Sequence, residues 1–488
     1  MINRTPIAAT FLVFIALFIG VGLYSGTRRQ TTTEDYLLAG RDVNPWFTAL
    51  SAVATGNSGF MFIGLIGFTY DIGLSAVWLT VGHLVGDTLA WVTVHQRLRK
   101  ASEDIQAETV SSFLGHGLVG GQWVTRVAAI ITLGFLGVYA AAQLQAGSKA
   151  LSVLFDWPAG WGIAFSAAVV AIYCVTGGIR ASIWVGSVQS ILMMVSMLAL
   201  AGVAIAASGG VSALWHQLHS IDASLVSLAP SGLAFGIVPF VLAWTVSGFG
   251  VVGQPHIMVR AMAIDSVKGV GTARNVYILF STLFSIAAVV VGLTARVLLP
   301  SLASGDTEMA LPQLAITVLP ALMVGLVLVG LFSATISTAD AQLLSCSAAL
   351  TQDLLPKAEN TYRSARLGTL AMVAVVLGIA LVSTDNVFAL VTFAWAALAA
   401  SLGMVMVVRA MGWPLNGAVA IAMMVSGIAT ALFWRVGLHL SADVYEVLPG
   451  MVVSGLVYGA SLPLLRTPGP GKTRFDSSSS LEVTDSAR

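Results

Sequence analysis

The chain has 488 residues, of which 57% are hydrophobic and 9% are charged, and its formal net charge is +1. A soluble domain carries roughly 25% charged residues, so this composition excludes an ordinary soluble protein and indicates a membrane protein. A nearly neutral chain lacks the concentrated basic surface that nucleic-acid binding needs. Cys174 and Cys346 both lie inside apolar segments and predict neither a disulfide nor a metal framework.

Apolar segments of about 20 residues recur along almost the whole chain, and a helix of that length crosses a bilayer. Thirteen are present, with approximate limits 7–26, 46–67, 73–95, 122–150, 159–177, 181–207, 233–254, 272–299, 317–350, 366–384, 386–408, 413–434 and 447–465. The sequence therefore predicts an all-α polytopic membrane protein with 13 transmembrane helices. The first segment lacks the flanks of a signal peptide, so we expect it to be a retained span.

The basic residues predict the orientation of these spans. With the N-terminus outside, four of the 23 lysines and arginines face outward (Arg4, Lys149, Arg296 and Arg435), and the other 19 face the cytoplasm. This bias follows the positive-inside rule, and an even number of spans would remove it. Residues 467–488 are rich in glycine, proline, serine and charge, which predicts a short disordered cytoplasmic tail.

Two spans contain glycine-rich polar interruptions. The second span reads ATGNSG at 54–59, and the seventh, five spans later, reads TVSGFG at 245–250. Glycine costs about 1 kcal/mol relative to alanine in a helix, and unwound backbone is tolerated in a membrane where it lines a cavity. Paired interruptions predict a transporter binding site near the midplane. Close helix packing through small residues is the alternative.

A polar cluster interrupts the ninth span, where Ser337, Thr338 and Asp340 stand in an otherwise apolar helix. An unpaired polar group in hydrocarbon costs several kcal/mol, so the cluster predicts a functional site. Ala334, Ser337 and Thr338 share one helix face, so one carbonyl and two hydroxyls can converge there. Oxygen ligands of this kind suit a hard cation such as sodium. Hydrogen bonding of the hydroxyls to carbonyls one turn earlier is the alternative.

The third span carries His83 and Asp87 four residues apart, which places them on one face of a helix. Because histidine titrates near neutral pH, the pair suggests a proton relay. The alternative is a neutral, hydrogen-bonded pair with a structural role, and we expect this second arrangement.

Four stretches resemble the sodium:solute symporter family, and most closely its bacterial sodium/proline symporters. The segment GQPHIMVRAMA at 253–263 is similar to the family signature GQPHIxxRxMA. YLLAGR at 36–41, GGIRAS at 177–182 with Trp184 and Gln189, and Ser337-Thr338 with QLL at 342–344 resemble further family motifs in the same order. The resemblance extends over about residues 8–465.

The resemblance implies a five-plus-five inverted-repeat core formed by spans two to eleven. The expected divisions are an N-terminal helix with a cytoplasmic loop (1–45), the transport core (46–408), two additional helices (409–466) and the tail (467–488). It also implies a sodium site in which the backbone carbonyls of Ala54 and Asn57 join Ala334, Ser337 and Thr338. We expect the monomer to be the functional unit.

This chain departs from the family at two acidic positions. Gly56 stands where the sodium/proline symporters carry aspartate, and Val185-Gly186 stands where many members carry Thr-Asp. Asp340, about one turn from Ser337, is the acidic residue that we expect to supply charge at the sodium site. A gating role and a structural hydrogen bond are the alternatives for Asp340.

The solute pocket is expected between the two interrupted spans and the fourth span. Its predicted lining is Asn57, Ser58, Tyr139, Gln143, Trp244, Ser247 and Phe249. Tyr139 matches a tyrosine implicated in proline binding in the similar symporters, whereas Ser247 and Val251 replace their tryptophan and tyrosine. Gln254 and Arg260 are expected to anchor the inner gate, and topogenic anchoring of Arg260 is the alternative.

The sequence therefore predicts a sodium-coupled symporter of a bacterial inner membrane. It would import a small organic solute, such as proline, another amino acid or a small organic acid, by alternating access. A proton-coupled or uncoupled transporter of the same fold is the alternative. We expect no enzymatic activity, because His83 and Asp87 lack an accompanying nucleophile or metal-ligand set.

Overall fold

Helices form nearly all of the described part of this chain, which in the computed structural model comprises residues 4–27, 30, 32–230, 232–355, 361–383 and 386–466. Within these residues, β-structure is limited to one isolated bridge between Val43 and Ile264. The predicted disordered tail, 467–488, lies outside the described residues. The long apolar runs explain the helices, since a helix satisfies every backbone hydrogen bond within one segment.

The first half of the chain forms α1 to α11. Their bounds are α1 Arg4–Gly26, α2 Thr33–Leu38, α3 Pro45–Gly56, α4 Leu65–Ile72, α5 Val77–Ala90, α6 Gln96–Asp104, α7 Val110–Gly115, α8 Gly121–Ile131, α9 Gly137–Phe155, α10 Ala159–Ala207 and α11 Val211–Ile221. Short π-helical turns at Phe60–Gly64, Trp91–His95 and Thr132–Leu136 lead into α4, α6 and α9. α10 is kinked at Gly178, whose φ of 57° is a left-handed conformation that glycine readily adopts.

The second half forms α12 to α21. Their bounds are α12 Ile237–Phe249, α13 Pro255–Ala263, α14 Gly269–Leu298, α15 Ala310–Val318, α16 Ala321–Ala348, α17 Tyr362–Val382, α18 Val387–Leu398, α19 Met404–Ala410, α20 Gly417–Leu432 and α21 Val447–Arg466. π-helical turns follow α16, α18 and α20 at Ala349–Leu354, Ala399–Gly403 and Phe433–Gly437.

Ten helical segments of the described residues are long and apolar enough to cross a membrane, or eleven if the bent pair α12–α13 counts as one span. The protein is therefore a multi-pass membrane protein. The count is lower than the predicted thirteen for two reasons. Two predicted spans, 46–67 and 73–95, share the continuous segment Phe60–Asp104, and the predicted span 159–177 contains the short helix Ala159–Ile172.

The interruption in the second span lies where the sequence predicted it. α3 ends at Gly56, and Asn57 leaves the helix with φ −85° and ψ 60°. The Asn57 N–H still donates to the carbonyl of Val53, so the chain breaks without losing that bond. Because the helix does not continue past Asn57, the last carbonyls of α3 lack N–H donors from a following turn. They are therefore available to other partners.

The interruption predicted at 245–250 in the seventh span is wrong. α12 continues to Phe249, a 3₁₀ turn covers Gly250–Gly253, and a bend of 59° precedes α13. Pro255 explains the shift, because proline lacks an N–H and restricts the residue before it. Gln254 accordingly adopts φ −100° and ψ 99°. Gly248 instead allows close packing, since a Cβ there would overlap the backbone carbonyl of His83.

The helix α16 lies at the centre of the protein. It is buried along almost all of its length from Val324 to Ala348 and packs against α1, α3, α9 and α10. By contrast, α1 exposes Leu12, Val13 and Leu17 on its outer face, as expected of a lipid-facing helix. The polar residues of α16 are therefore enclosed by other helices, and their partners must come from the protein or from a ligand.

Candidate functional site

Ser337 and Thr338 meet the broken end of α3. The Ser337 hydroxyl lies 3.0 Å from the carbonyl oxygen of Ala54 and 3.1 Å from that of Ala334. The Thr338 hydroxyl lies 3.0 Å from the carbonyl oxygen of Thr55 and 2.9 Å from that of Ala334. Five oxygens from two helices thus converge in a fully buried place.

This oxygen cluster has the chemistry of an alkali-cation site. Each hydroxyl has one proton to share between two carbonyls, so the carbonyl lone pairs exceed the available donors. Carbonyl and hydroxyl oxygens are the ligands that hard cations prefer. Bonding to the carbonyl of the preceding turn, the predicted alternative, is also present, but it accounts for only one of the two contacts that each hydroxyl makes.

Asp340 faces a buried polar network about one helical turn from the cluster. Its Oδ1 accepts a hydrogen bond of 2.7 Å from Ser182, and the Ser182 oxygen accepts one of 3.0 Å from Arg260. Arg260 also donates to the hydroxyl of Ser51 and to the carbonyl of His256. The other Asp340 oxygen, Oδ2, has no hydrogen-bond partner among the described residues. This network joins α3, α10, α13 and α16.

Gln254, the other residue predicted at the inner gate, lies at the bend between α12 and α13. Its side-chain amide donates to the carbonyl of Trp395 at 3.1 Å, so it ties the bend to α18. Both Gln254 and Arg260 are buried, at 0% and 1% exposure. A purely topogenic arginine would face solvent or headgroups, and Arg260 does not.

The connection between α1 and α3, which carries the YLLAGR motif, is anchored by Arg41. Its guanidinium donates to the carbonyls of Met262 and Ala107 and contacts both oxygens of Ser102. Burial lowers the pKa of Arg41 from its usual value, with the nearby Arg99 acting in the same direction. The connection is therefore held against α6, the residues that follow α6, and α13.

A cavity lies beside the break in α3. Its wall includes four of the residues predicted to contact solute, which are Asn57, Tyr139, Trp244 and Ser247. Aromatic side chains form part of the wall: the Trp244 and Tyr445 rings stack with centroids 4.6 Å apart, and the Trp395 indole N–H donates to the carbonyl of Ser247. A concave, partly apolar wall with a few polar groups is typical of a small-molecule site.

The structure does not place the other three predicted residues, Ser58, Gln143 and Phe249, in the cavity wall. The Gln143 side-chain oxygen, Oε1, accepts a hydrogen bond of 2.9 Å from the Gly59 N–H. The Ser58 hydroxyl accepts one from the Phe60 N–H. Both side chains thus satisfy backbone groups beyond the break. Phe249 remains on the continuous helix α12 and packs against the hydrophobic core.

The predicted hydrogen bond between His83 and Asp87 is wrong. Asp87 Oδ2 accepts a bond of 2.6 Å from the phenol of Tyr277 on α14, and Oδ1 has no partner within the described part of the chain. The His83 ring instead faces Trp395, with centroids 5.3 Å apart. Both residues belong to the wall of the cavity, which the sequence analysis did not predict.

Comparison with known proteins identifies the family. The profile described as "Sodium:solute symporter family" matches residues 36–427, which is most of the chain. The chain belongs to the sodium:solute symporter family. It is therefore a sodium-coupled secondary transporter of a small solute, and Na⁺ is the co-transported ion.

Curated relatives of this symporter span almost its full length. The sodium/proline symporter of Salmonella typhimurium is 30% identical over 471 residues, which cover 93% of this chain and 92% of the relative. The osmoregulated proline transporter OpuE of Bacillus subtilis is 28% identical over 476 residues and 95% of both chains. The sodium/proline symporter of Staphylococcus aureus is 30% identical over 484 residues, covering 94% and 92%.

Solved structures with the same fold include a Na⁺-coupled sialic acid symporter in a substrate-bound outward-open state. It superimposes with a TM-score of 0.79 at 17% identity and covers 95% of this chain and 98% of its own. A nucleobase-cation-symport-1 family transporter in a closed conformation superimposes with a TM-score of 0.57 at 14% identity, covering 88% and 95%. These matches place the symporter among transporters of one shared fold.

Sequence reasoning missed Tyr277, Thr392, Trp395 and Tyr445 as cavity residues. Three of them lie in spans that carried no polar interruption or motif, and Tyr445 lies between spans. A single aromatic or hydroxyl side chain in an apolar segment usually packs against neighbouring helices. Only the arrangement of the helices could therefore show that these four residues line the cavity.

Proposed function

We propose that this symporter imports an amino acid such as proline, or a small organic acid, together with sodium bound at the oxygen cluster. The ligands are the backbone carbonyls of Ala54 and Ala334 and the hydroxyls of Ser337 and Thr338 in that cluster, together with the backbone carbonyl of Asn57, which the family resemblance implies. The observation that carries this proposal is the convergence of the two hydroxyls on the end of α3. The proline-transporting relatives support the solute class.

Asp340 supplies negative charge from about one turn along α16. Its unpartnered Oδ2 leaves part of the carboxylate charge uncompensated, and the partner Ser182 links Oδ1 to Arg260. Because α13 belongs to the cytoplasmic half of the seventh span, we assign Arg260 and Gln254 to the inner gate. Movement of α13 would then alter the electrostatic environment of the cation.

Coupling follows from the position of the cation between α3 and α16. A sodium ion there bridges the broken span that lines the solute cavity to a helix of the opposite repeat. Binding of the ion stabilises the arrangement of α3 that captures solute, and linkage requires the solute to strengthen sodium binding by the same factor. Rocking of one repeat against the other would release both to the cytoplasm.

We assign thirteen crossings, with a five-plus-five inverted-repeat core at 46–408, an N-terminal unit at 1–45, two additional helices at 409–466 and a tail at 467–488. Phe60–Asp104 has 45 residues, about twice what one crossing needs, and Gly73 at φ 71° separates α4 from α5 within it. That supports two crossings for this segment. The positive-inside bias supports an outer N-terminus and a cytoplasmic C-terminus in a bacterial inner membrane, and we assign a functional monomer.

Reconstituted transport tests this function. The full-length protein is placed in liposomes, and uptake of labelled L-proline and a panel of amino acids, organic acids and sugars is measured under an inward sodium gradient. We expect at least one amino or organic acid to accumulate, and replacement of external sodium by choline to stop that uptake. Uptake that continues in choline would contradict sodium coupling, and accumulation of sugars alone would contradict the proposed solute class.

A further inference from the structure

We propose that Asn57 and Asp87 form the two poles of a zwitterion-binding site, so that the solute is an amino acid carrying both a carboxylate and a positively charged nitrogen. Asp87 binds the nitrogen, and the side-chain amide of Asn57 binds the carboxylate. This inference rests on the proposed transport function and narrows its solute class, because an organic acid without an amine would leave Asp87 uncompensated.

The first observation is the incomplete hydrogen bonding of Asp87. It lies on α5 in the wall of the cavity and is 2% exposed. A carboxylate can accept about four hydrogen bonds, yet within the described residues Asp87 accepts one, from Tyr277. None of the ion pairs that the described residues form includes Asp87. A buried carboxylate without a cationic partner is costly, and a cationic ligand relieves that cost.

The second observation is an unpartnered donor in the same cavity. Asn57 stands at the break after α3 and lines the cavity, and its Nδ2 donates to no acceptor in the described part of the chain. Its backbone conformation is fixed by the break, so the amide is positioned by the same feature that exposes the α3 carbonyls. One cavity thus holds an unpaired acceptor with negative charge and an unpaired donor, the complement of an amino acid.

Tyr277 is the positioning residue for Asp87. Its phenol, on α14, donates to Asp87 at 2.6 Å and lies beside Gly56, where a Cβ would stand 3.1 Å from the phenolic oxygen. The absence of a side chain at Gly56 therefore leaves room for the phenol. With Oδ2 engaged by Tyr277, the remaining oxygen Oδ1 is the one available to the ligand.

The aromatic wall is consistent with the same solute. Trp244 and Tyr445 stack on each other, and Trp395 is fixed by its bond to Ser247. Aromatic faces attract positively charged nitrogen and also bury the apolar part of a small solute. An amino acid with a compact apolar side chain or ring satisfies all three features of the cavity.

Solute-induced thermal stabilisation of the purified full-length protein, in saturating sodium, tests this inference. The probes form two matched pairs, L-proline with tetrahydrofuran-2-carboxylate and L-alanine with L-lactate, and glucose serves as an unrelated solute. We expect at least one amine-bearing probe to bind and its amine-free counterpart to bind at least tenfold more weakly. Equal affinity within a matched pair, or binding of amine-free probes only, would overturn the inference.

Variants separate recognition from folding. In Asp87→Asn we expect affinity for the amine-bearing probe to fall at least tenfold and affinity for its amine-free counterpart to change less than threefold. Tyr277→Phe should weaken amine binding by a smaller factor. Thr88→Val is the matched control, since Thr88 lies beside Asp87 on α5 but outside the cavity wall and bonds within its own helix, and it should leave selectivity unchanged. An Asp87→Asn variant with unaltered selectivity would contradict the assignment.

Sodium binding without solute distinguishes failure of the proposed function from failure of the zwitterion site. Wild-type protein and Asp87→Asn are titrated with sodium alone, against choline. We expect the same sodium-induced stabilisation in both, which locates the defect of the variant in solute recognition. If the wild type shows no sodium-dependent stabilisation, the proposed function fails. If Asp87→Asn needs at least tenfold more sodium for half-maximal stabilisation, Asp87 belongs to the cation site. The zwitterion inference then fails, and the proposed function does not.

Discussion

The hydroxyl oxygen of Ser337 lies 3.0 Å from the carbonyl oxygen of Ala54, although 283 positions separate the two residues. One belongs to the central helix α16 and the other to the last turn of α3. Because that turn has no helical continuation, its carbonyls accept from side chains instead of from its own backbone. This contact joins the broken span to the core and defines the cluster that we assign to sodium.

Removal of both hydroxyls should weaken sodium binding. We expect the double variant Ser337→Ala with Thr338→Ala to raise the sodium concentration for half-maximal uptake at least tenfold, or about 1.4 kcal/mol, because two of the ligands are lost. Ser333→Ala is the control, since the buried Ser333 hydroxyl bonds only to Val329 in its own helix. An unchanged sodium requirement in the double variant would place the ion elsewhere.

Asp340→Asn should have a weaker effect on sodium. Its carboxylate is engaged with Ser182 and acts on the cation through space, so we expect the sodium requirement to rise roughly threefold. The measurement is uptake against sodium concentration, with Asp353→Asn, at a half-buried aspartate that accepts from Thr109, as a control. A tenfold rise would make Asp340 a direct ligand, and no rise would remove it from the site.

Gly248→Ala should destabilise the protein. A Cβ at Gly248 would overlap the backbone carbonyl of His83 where α12 crosses α5, and backbone cannot move aside cheaply. We expect a loss of about 3 kcal/mol or more, seen as poor yield of folded protein and a lower melting temperature in detergent. Gly202→Ala, where a Cβ would meet nothing within 4 Å, should be neutral or stabilising.

Glu308→Gln should lower thermal stability. The Glu308 carboxylate accepts from the backbone N–H groups of Val387 and Phe388 at the start of α18 and from the Lys149 ammonium at 2.7 Å. Replacing a buried charge that caps a helix and pairs with a lysine should cost about 3 kcal/mol. Asp306→Asn, at a carboxylate that is about half exposed, should change the melting temperature little. Equal effects of the two variants would contradict this assignment.

The interruptions show how far local sequence reasoning extends. At 54–59 glycine and asparagine indicated a break, and α3 ends there. At 245–250 the same composition was misleading, because Gly248 serves close contact with α5 while Pro255 sets the bend. Small residues permit both unwinding and packing, so composition alone cannot separate the two. The neighbouring helix decides between them.

Composition and hydrophobic length by themselves determined that this chain is a multi-pass helical membrane protein, because the bilayer forces backbone polar groups to be satisfied within each segment. The motifs at 36–41, 177–182, 253–263 and 337–344 determined the family. Only the tertiary structure decided that Asp87 bonds Tyr277 rather than His83 and that Trp395 and Tyr445 line the cavity. Those contacts join residues far apart in the chain, and no local periodicity encodes which side chains two distant helices bring together.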